Sequence, residues 1–391
     1  MVQSRDKAVG WACVLCVRPL PLVCRDVLIA HHDVLTALRD INNFFKMKEG
    51  SIGDPDYYLG AKLQKMTLNS GVDAWAMSSS NYALAAVANV LDQLKSCWGL
   101  EHMMPKSAAN PFKGGYKPEM DVSPELDAEQ AAYYQSHIGI LRWLCEIGRI
   151  DILVNVSMLA SHMALPREGH LEAVYHIYSY LRNKHSARMC FDPTYPEIDM
   201  GAFKECDWKT FYGDVKEAIP PNAPEEVRGK EVDLRLYIDS NHAGEEVTRC
   251  SCTGFFIFLN MAPVVWFSKR QPTIERSVFA AEFVAMKNGM ETLRGLQYKL
   301  QMMGVPLSGP SFIYGNNMSL IHNTQRPELM LRKKSSSICY HAVRKSVAMG
   351  ESLTGYISTH ENLANVATKD LPGGQKRDYL CGKVIYDLTD Y

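Results

Sequence analysis

The chain has 391 residues, room for two or three domains at about 150 residues each, with 47% apolar and 22% charged side chains. Those proportions exclude wholesale disorder, and a mean hydropathy of −0.17 argues against a membrane protein. The net charge of −1 excludes a histone-like polycation, although residues 231–391 carry 18 Lys/Arg against 15 Asp/Glu and form the more basic part.

At the start, the most apolar stretch, Trp11 to Ala30, is cut by Arg18, Arg25 and Asp26, so it offers no bilayer span. Lys7 followed by Ala8–Val17 has the look of a signal peptide, but no small-x-small cleavage site follows and Arg18 ends the run. Cys13 and Cys16 form a single C-x-x-C near His31 and His32, where a zinc ribbon needs a second such pair. Eleven cysteines, scattered without a framework, fit reduced thiols. The expected compartment is cytoplasmic or nuclear, and the chain is not expected to be secreted.

Val34, Leu35, Leu38, Ile41, Phe44 and Phe45 recur at helical spacing, and a turn-rich stretch, 49–55, follows. Residues 101–125 read as a loop rich in Pro, Gly and Lys. Residues 126–186 read as two long helices broken at Pro166–Gly169, the second carrying a stripe of Leu171, Val174, Tyr175, Ile177, Tyr178 and Leu181. Five prolines in 187–230 favour a connector. Beyond it, Leu234, Leu236 and Ile238 alternate with Arg235, Tyr237 and Asp239, predicting a strand with one buried face. Phe255–Leu259 and Val264–Phe267 extend this to a three-strand meander. A helix marked by Phe279, Phe283, Met286, Met290, Leu293 and Leu300 comes next. Phe312–Tyr314 (strand), Ile338–Met349 (helix), Gly355–Ile357 (strand) and Leu363–Thr368 (helical turn) complete the order.

Asp239 ends the first of these strands and Glu282 sits near the start of the first helix. Packing that strand against that helix would bring both carboxylates to one edge of the sheet. Paired hard oxygens are what Mg²⁺ requires, and two such ions can clamp both oxygens of an in-line phosphodiester displacement. Two carboxylates so placed are also commonly just solvated or salt-bridged.

Residues 231–370 resemble the ribonuclease H domain of copia-type retrotransposon Pol proteins. The likeness is carried by Leu236-Tyr237-Ile238-Asp239-Ser240-Asn241-His242-Ala243-Gly244, Phe267-Ser268-Lys269-Arg270-Gln271-Pro272-Thr273, Ala281-Glu282-Phe283-Val284-Ala285 and Ile313-Tyr314-Gly315-Asn316-Asn317-Met318-Ser319. Lys333–Arg344 and Asn362-Leu363-Ala364-Asn365-Val366-Ala367-Thr368-Lys369 follow in the family's order. The resemblance implies a ribonuclease H-like mixed five-stranded sheet with flanking helices and an ancestral Mg²⁺-dependent hydrolysis of RNA in RNA–DNA hybrids. Of the family's four catalytic acids, two fall on Asp239 and Glu282, the expected metal ligands. The other two fall on Asn316 and Asn365. An amide keeps one oxygen but loses the charge and adds donors that repel a cation. Changing both asparagines to Asp would rebuild the acidic set at constant side-chain size, and the scaffold is expected to accept this.

Val27-Leu28-Ile29-Ala30 through Leu59-Gly60-Ala61-Lys62 looks like the stretch after the Tyr-x-Asp-Asp hairpin of copia-type reverse transcriptases. Gln135-Ser136-His137-Ile138-Gly139-Ile140-Leu141-Arg142-Trp143-Leu144 resembles the helix after their thumb loop. Asp26 then matches the second Asp of the hairpin, with Arg25 in place of the first and Val23 in place of the Tyr. The fingers and early palm would lie upstream of Met1, so polymerisation by this chain alone is not expected.

The resemblance thus implies an α/β (α+β) architecture. It comprises a palm remnant (1–100), a helical thumb/connection (101–186), a linker (187–230), the ribonuclease H-like domain (231–370) and a C-terminal tail (371–391). The implied partner is an RNA–DNA hybrid or other nucleic acid, with no membrane. Arg332-Lys333-Lys334 reads either as a solvated face or as a contact for phosphates. Trp266, Phe267 and Tyr340 read as core or as base-stacking groups, and His242 and His360 as structural or as proton carriers. Three functions compete: an impaired nuclease, a non-catalytic nucleic-acid-binding module, and a decayed product without selected function.

Overall fold

The structure is a computed structural model, which describes residues 56–98, 103–217, 219–227, 229–331 and 336–388. Cys13, Cys16, Arg25, Asp26, His31, His32, the helical pattern at 34–45 and Arg332-Lys333-Lys334 lie outside the described residues.

The described elements, in chain order, begin with β1 (Tyr57–Tyr58), β2 (Ala61–Thr67), β3 (Asp73–Ser78) and α1 (Ser80–Gln93). Three helices follow, α2 (Ala128–Glu146), α3 (Leu153–Ala160) and α4 (Glu168–Asn183), then β4 (Arg188–Phe191) and a single turn, α5 (Lys209–Tyr212). The second half holds β5 (Leu234–Asn241), β6 (Cys252–Leu259), β7 (Ala262–Arg270), α6 (Val278–Met302), β8 (Ser311–Gly315), α7 (Met318–Gln325), α8 (Ser337–Ala348) and β9 (Ser352–Tyr356). A 3₁₀ turn at Leu363–Ala367, α9 (Gln375–Gly382) and β10 (Ile385–Tyr386) end it.

Two five-stranded sheets result. The first has the order β1-β2-β3-β4-β10 and is antiparallel throughout. The second has the order β7-β6-β5-β8-β9, with β5 central, antiparallel to β6 and parallel to β8. This is the mixed sheet of a ribonuclease H-like fold. The meander turns at Asn260, whose φ of 54° suits a short polar side chain that bonds locally. Its side chain accepts from the Asp233 amide (2.9 Å) and donates to the Pro193 carbonyl (3.1 Å).

On one face of β5, Leu234, Leu236 and Ile238 join Phe283, Met286, Met290, Leu293, Leu296 and Leu300 of α6 in one core. The other face is buried too, which corrects the expectation of a one-sided strand. Arg235 is buried, donating to the Asn260 carbonyl (2.7 Å) and the Tyr237 hydroxyl (3.1 Å), with its guanidinium 5.4 Å from the centre of the Phe258 ring. Tyr237, Phe256 and Phe258 belong to a second core that runs without a break into Leu141, Leu144, Ile177 and Leu181 of the helical half. Alternation of polar and apolar side chains signalled solvent, but the helical half covers that face. Trp266 donates from Nε1 to the Cys145 carbonyl (2.9 Å), and Ser157 to the Ser268 carbonyl (3.0 Å), across the same junction.

Other expectations change as well. The segment 126–186 holds three helices, because Gly148 (φ 101°) and a 3₁₀ turn at Ile150–Ile152 interrupt the apolar pattern. The expected connector at 187–230 supplies β4 to the first sheet and lays Phe203 against Phe312 and Leu353 of the second. The tail supplies α9, and β10 pairs with β4. Helix α7 went unread in the sequence, and β9 begins at Ser352 rather than Gly355.

Histidine 137 of α2 is buried, its Nδ1 2.9 Å from the Tyr178 hydroxyl. Burial pushes its pKa down to about 4. The unfolded chain therefore binds the proton first as pH falls, so stability is full above about 6.5 and declines toward 4. The expected loss is about 2–3 kcal/mol in urea denaturation across that window, and His137→Gln should flatten this part of the profile.

Candidate active site

Asp239 lies on the central strand with 1% of its surface exposed. The residue opposite it on β6 is Gly254, where any Cβ would lie 2.5 Å from Thr368 Cγ2 and 2.9 Å from the Ala367 carbonyl carbon. Absence of a side chain there lets the 3₁₀ turn rest directly on the sheet. Asn362 fixes the turn from its other end: its Oδ1 caps it by accepting from the Ala364 amide (3.1 Å), and its Nδ2 donates to the Ile238 carbonyl (2.8 Å).

The turn delivers two groups to the carboxylate and a third to the cation beside it. Thr368 Oγ1 donates to Asp239 Oδ2. The Lys369 ammonium lies 3.2 Å from Oδ1 and 3.0 Å from Oδ2 of Asp239, and 2.7 Å from Oδ1 of Asn365. Asn365 is fully buried, and its Nδ2 donates to the carbonyls of Asn362 and Thr359, both at 2.8 Å. Its amide orientation is therefore fixed by hydrogen bonding, with nitrogen outward to two acceptors and oxygen inward to the lysine.

Glu282 arrives from the opposite layer on α6, whose first turn is capped by Ser277 accepting from the Ala280 amide (3.3 Å). Gln271 holds that end of the helix to the sheet, donating to Thr253 Oγ1 (2.9 Å) and the Ala281 carbonyl (3.0 Å). Glu282 is 3% exposed and its Oε2 has no hydrogen-bond partner. Burial, then the nearby charge of Asp239, pushes its pKa up to about 8, against the pull of Lys369 and Ser240. Asn316 follows β8, two residues past the pair Tyr237–Tyr314 and so in step with Asp239. It is half-exposed, and its Nδ2 donates to Thr359 Oγ1 (3.3 Å).

The structure thus gathers Asp239, Glu282 and Asn365, with Asn316 at the same strand end. Sequence reasoning missed the assigning roles of Thr368, Lys369, Asn362 and Gln271, although all four stood inside the quoted motifs. Of the other candidates, Phe267 stacks on Phe255 (4.8 Å between centroids) and Tyr340 is buried in the α6 core. His242 Nε2 meets the Glu275 carbonyl (3.0 Å), and His360 is exposed.

The donors present do not fit the pair of Mg²⁺ ions that a ribonuclease H-like centre implies. One carboxylate is held in an ion pair and two of the four positions are amides, which leaves fewer anions than two divalent ions need. Among the described residues, no three His, Cys, Asp or Glu side chains gather as a metal-binding group. No helix among them is long and apolar enough to cross a membrane.

The proteins that this chain resembles in sequence are retroelement proteins. The chain is 23% identical over 349 residues to a retrovirus-related Pol polyprotein from transposon RE2 of Arabidopsis thaliana, covering 88% of this chain. It is 27% identical over 238 residues (61% of this chain) to that from Arabidopsis transposon RE1. To that from transposon TNT 1-94 of Nicotiana tabacum it is 24% identical over 373 residues (94% of this chain). The chain is a relative of the copia-type retrotransposon Pol polyproteins. It spans 20%, 14% and 24% of those three proteins. No family model matches the chain. Among solved structures, a ribonuclease H domain from Mycobacterium tuberculosis aligns with 39% of this chain and 97% of that one, at 8% identity and a TM-score of 0.29. LC11-RNase H1, solved with an RNA/DNA hybrid, aligns with 35% of this chain and 94% of that one, at 14% identity and a TM-score of 0.29.

Restoring the acids is not symmetric, contrary to the expectation from side-chain size. Asn365→Asp removes the donor to two backbone carbonyls, the Asn362 one buried, and sets an anion against them, and should cost about 2 kcal/mol in urea denaturation. Asn316→Asp can still accept from the Thr359 hydroxyl and should stay within about 0.5 kcal/mol of the parent. Equal costs would show that the Asn365 orientation is not fixed as described.

Proposed function

We propose that this chain is a reverse transcriptase/ribonuclease H-like portion of a copia-type Pol protein in which contact with RNA–DNA hybrid has outlived hydrolysis. Residues 56–98 correspond in this reading to the palm and the helices of 128–183 to the thumb and connection. The ancestral activity is Mg²⁺-dependent cleavage of the RNA strand. The observation that carries its loss is the fixed amide of Asn365, which turns a metal-ligand position into a donor to the protein's own carbonyls. Asn316 removes a second anion from the same strand end. Four carboxylates answer the charge of two divalent ions, whereas two leave it largely unmatched. The similarity to Pol polyproteins and the more basic second half support the nucleic-acid partner.

The test is a labelled RNA–DNA hybrid incubated with the full chain and Mg²⁺, beside a binding titration at rising salt. No cleavage is expected, with binding that weakens steeply as salt rises because Lys/Arg–phosphate contacts release counterions. Cleavage that Asp239→Asn abolishes would overturn the loss of activity. Binding absent at low salt, or indifferent to salt, would overturn the nucleic-acid partner.

A further inference from the structure

We infer that the Lys369 ammonium is the resident cation of this centre, taking between Asp239 and Asn365 the place that a divalent ion would take, so that the site is built to stand without metal. The inference rests on reading the site as a ribonuclease H-type centre, and concerns its charge balance rather than its substrate. The ammonium sits within 3.2 Å of three oxygens from two residues, both oxygens of Asp239 and the amide oxygen of Asn365. Its side chain is 33% exposed, whereas that of Asp239 is 1% exposed. A lysine four residues after Asn365 reaches back over the end of the 3₁₀ turn, so the same turn supplies the cation, its neutral ligand and the Thr368 hydroxyl. Each neighbour fits this role. Asn365 offers the lysine an oxygen without adding a charge, and its own protons go to Thr359 and Asn362. One ammonium faces the one carboxylate of Asp239. A hydrated divalent ion would have to displace Lys369 or bury an excess of positive charge beside it.

The experiment follows thermal unfolding of the full chain, without nucleic acid, in EDTA and in excess MgCl₂ or MnCl₂. The parent chain should melt at one temperature in all three, and Mg²⁺ calorimetry should give no heat that Asp239→Asn removes. Lys369→Gln, which leaves the carboxylate uncompensated, should melt several degrees lower in EDTA. It should recover at least part of that loss with Mg²⁺ or Mn²⁺, and the recovery should vanish when Asp239→Asn is added. A parent chain stabilised by Mg²⁺ through Asp239 would overturn the inference. So would a Lys369→Gln variant as stable as the parent in EDTA, or one that folds and gains nothing from either metal. If that variant does not fold, the parent's titration decides alone: silence supports the resident cation, and an Asp239-dependent signal refutes it. Because no hybrid is present, failure here is separate from failure of the nucleic-acid reading.

Discussion

A carboxylate in the middle of a covered sheet must find its counter-charge inside the protein, since water cannot supply it. At Asp239 that constraint organises everything around it. The charge is answered by Lys369, which reaches it because the 3₁₀ turn lies flat on the strands. The turn lies flat because Gly254 presents no side chain, and it holds its shape because Asn362 ties its start to the Ile238 carbonyl. Glu282 faces the same pocket of charge from the helix layer, where burial and the nearby Asp239 raise its pKa.

The outline of the second sheet was legible because its signals are local. Apolar runs bounded by turn residues mark β5, β6 and β7, and the stripe from Phe283 to Leu300 marks α6. Asp239 and Glu282 were legible as acids at element ends. Lys369 was not, because a lysine in sequence is a solvated charge by default, and only the turn geometry reveals where its stem leads. The direction of the Asn365 amide was equally hidden. Sequence gives the side chain's size, while its two acceptors come from backbone carbonyls that no pattern announces. Helix α7 escaped for a related reason: at eight residues it is too short for a periodic signal and starts on an Asn317 cap.

Burial on both faces of β5 also ties the two halves of the chain together. A central strand with Leu236 and Ile238 on one side and Tyr237 on the other is stabilised by two cores at once. One of those cores is shared with helices α2 and α4, so the helical half acts as a wall of the sheet rather than a neighbour joined by a tether. Arg149 and Asp151, both fully buried, pair in that wall (2.7 Å), and Arg377 of α9 donates to the Asp151 carbonyl (3.1 Å). Removing one partner of such a pair would leave an uncompensated charge inside this wall.

The pairing of β10 with β4 has a temporal meaning. Strand β4 lies between β3 and β10, so the first sheet remains one strand short until residues 385–386 have left the ribosome. Nearly two hundred residues separate the partners, and the whole second sheet is synthesised between them. The early strands must therefore wait, with an unpaired edge, through most of translation. Such an edge invites pairing with other nascent chains.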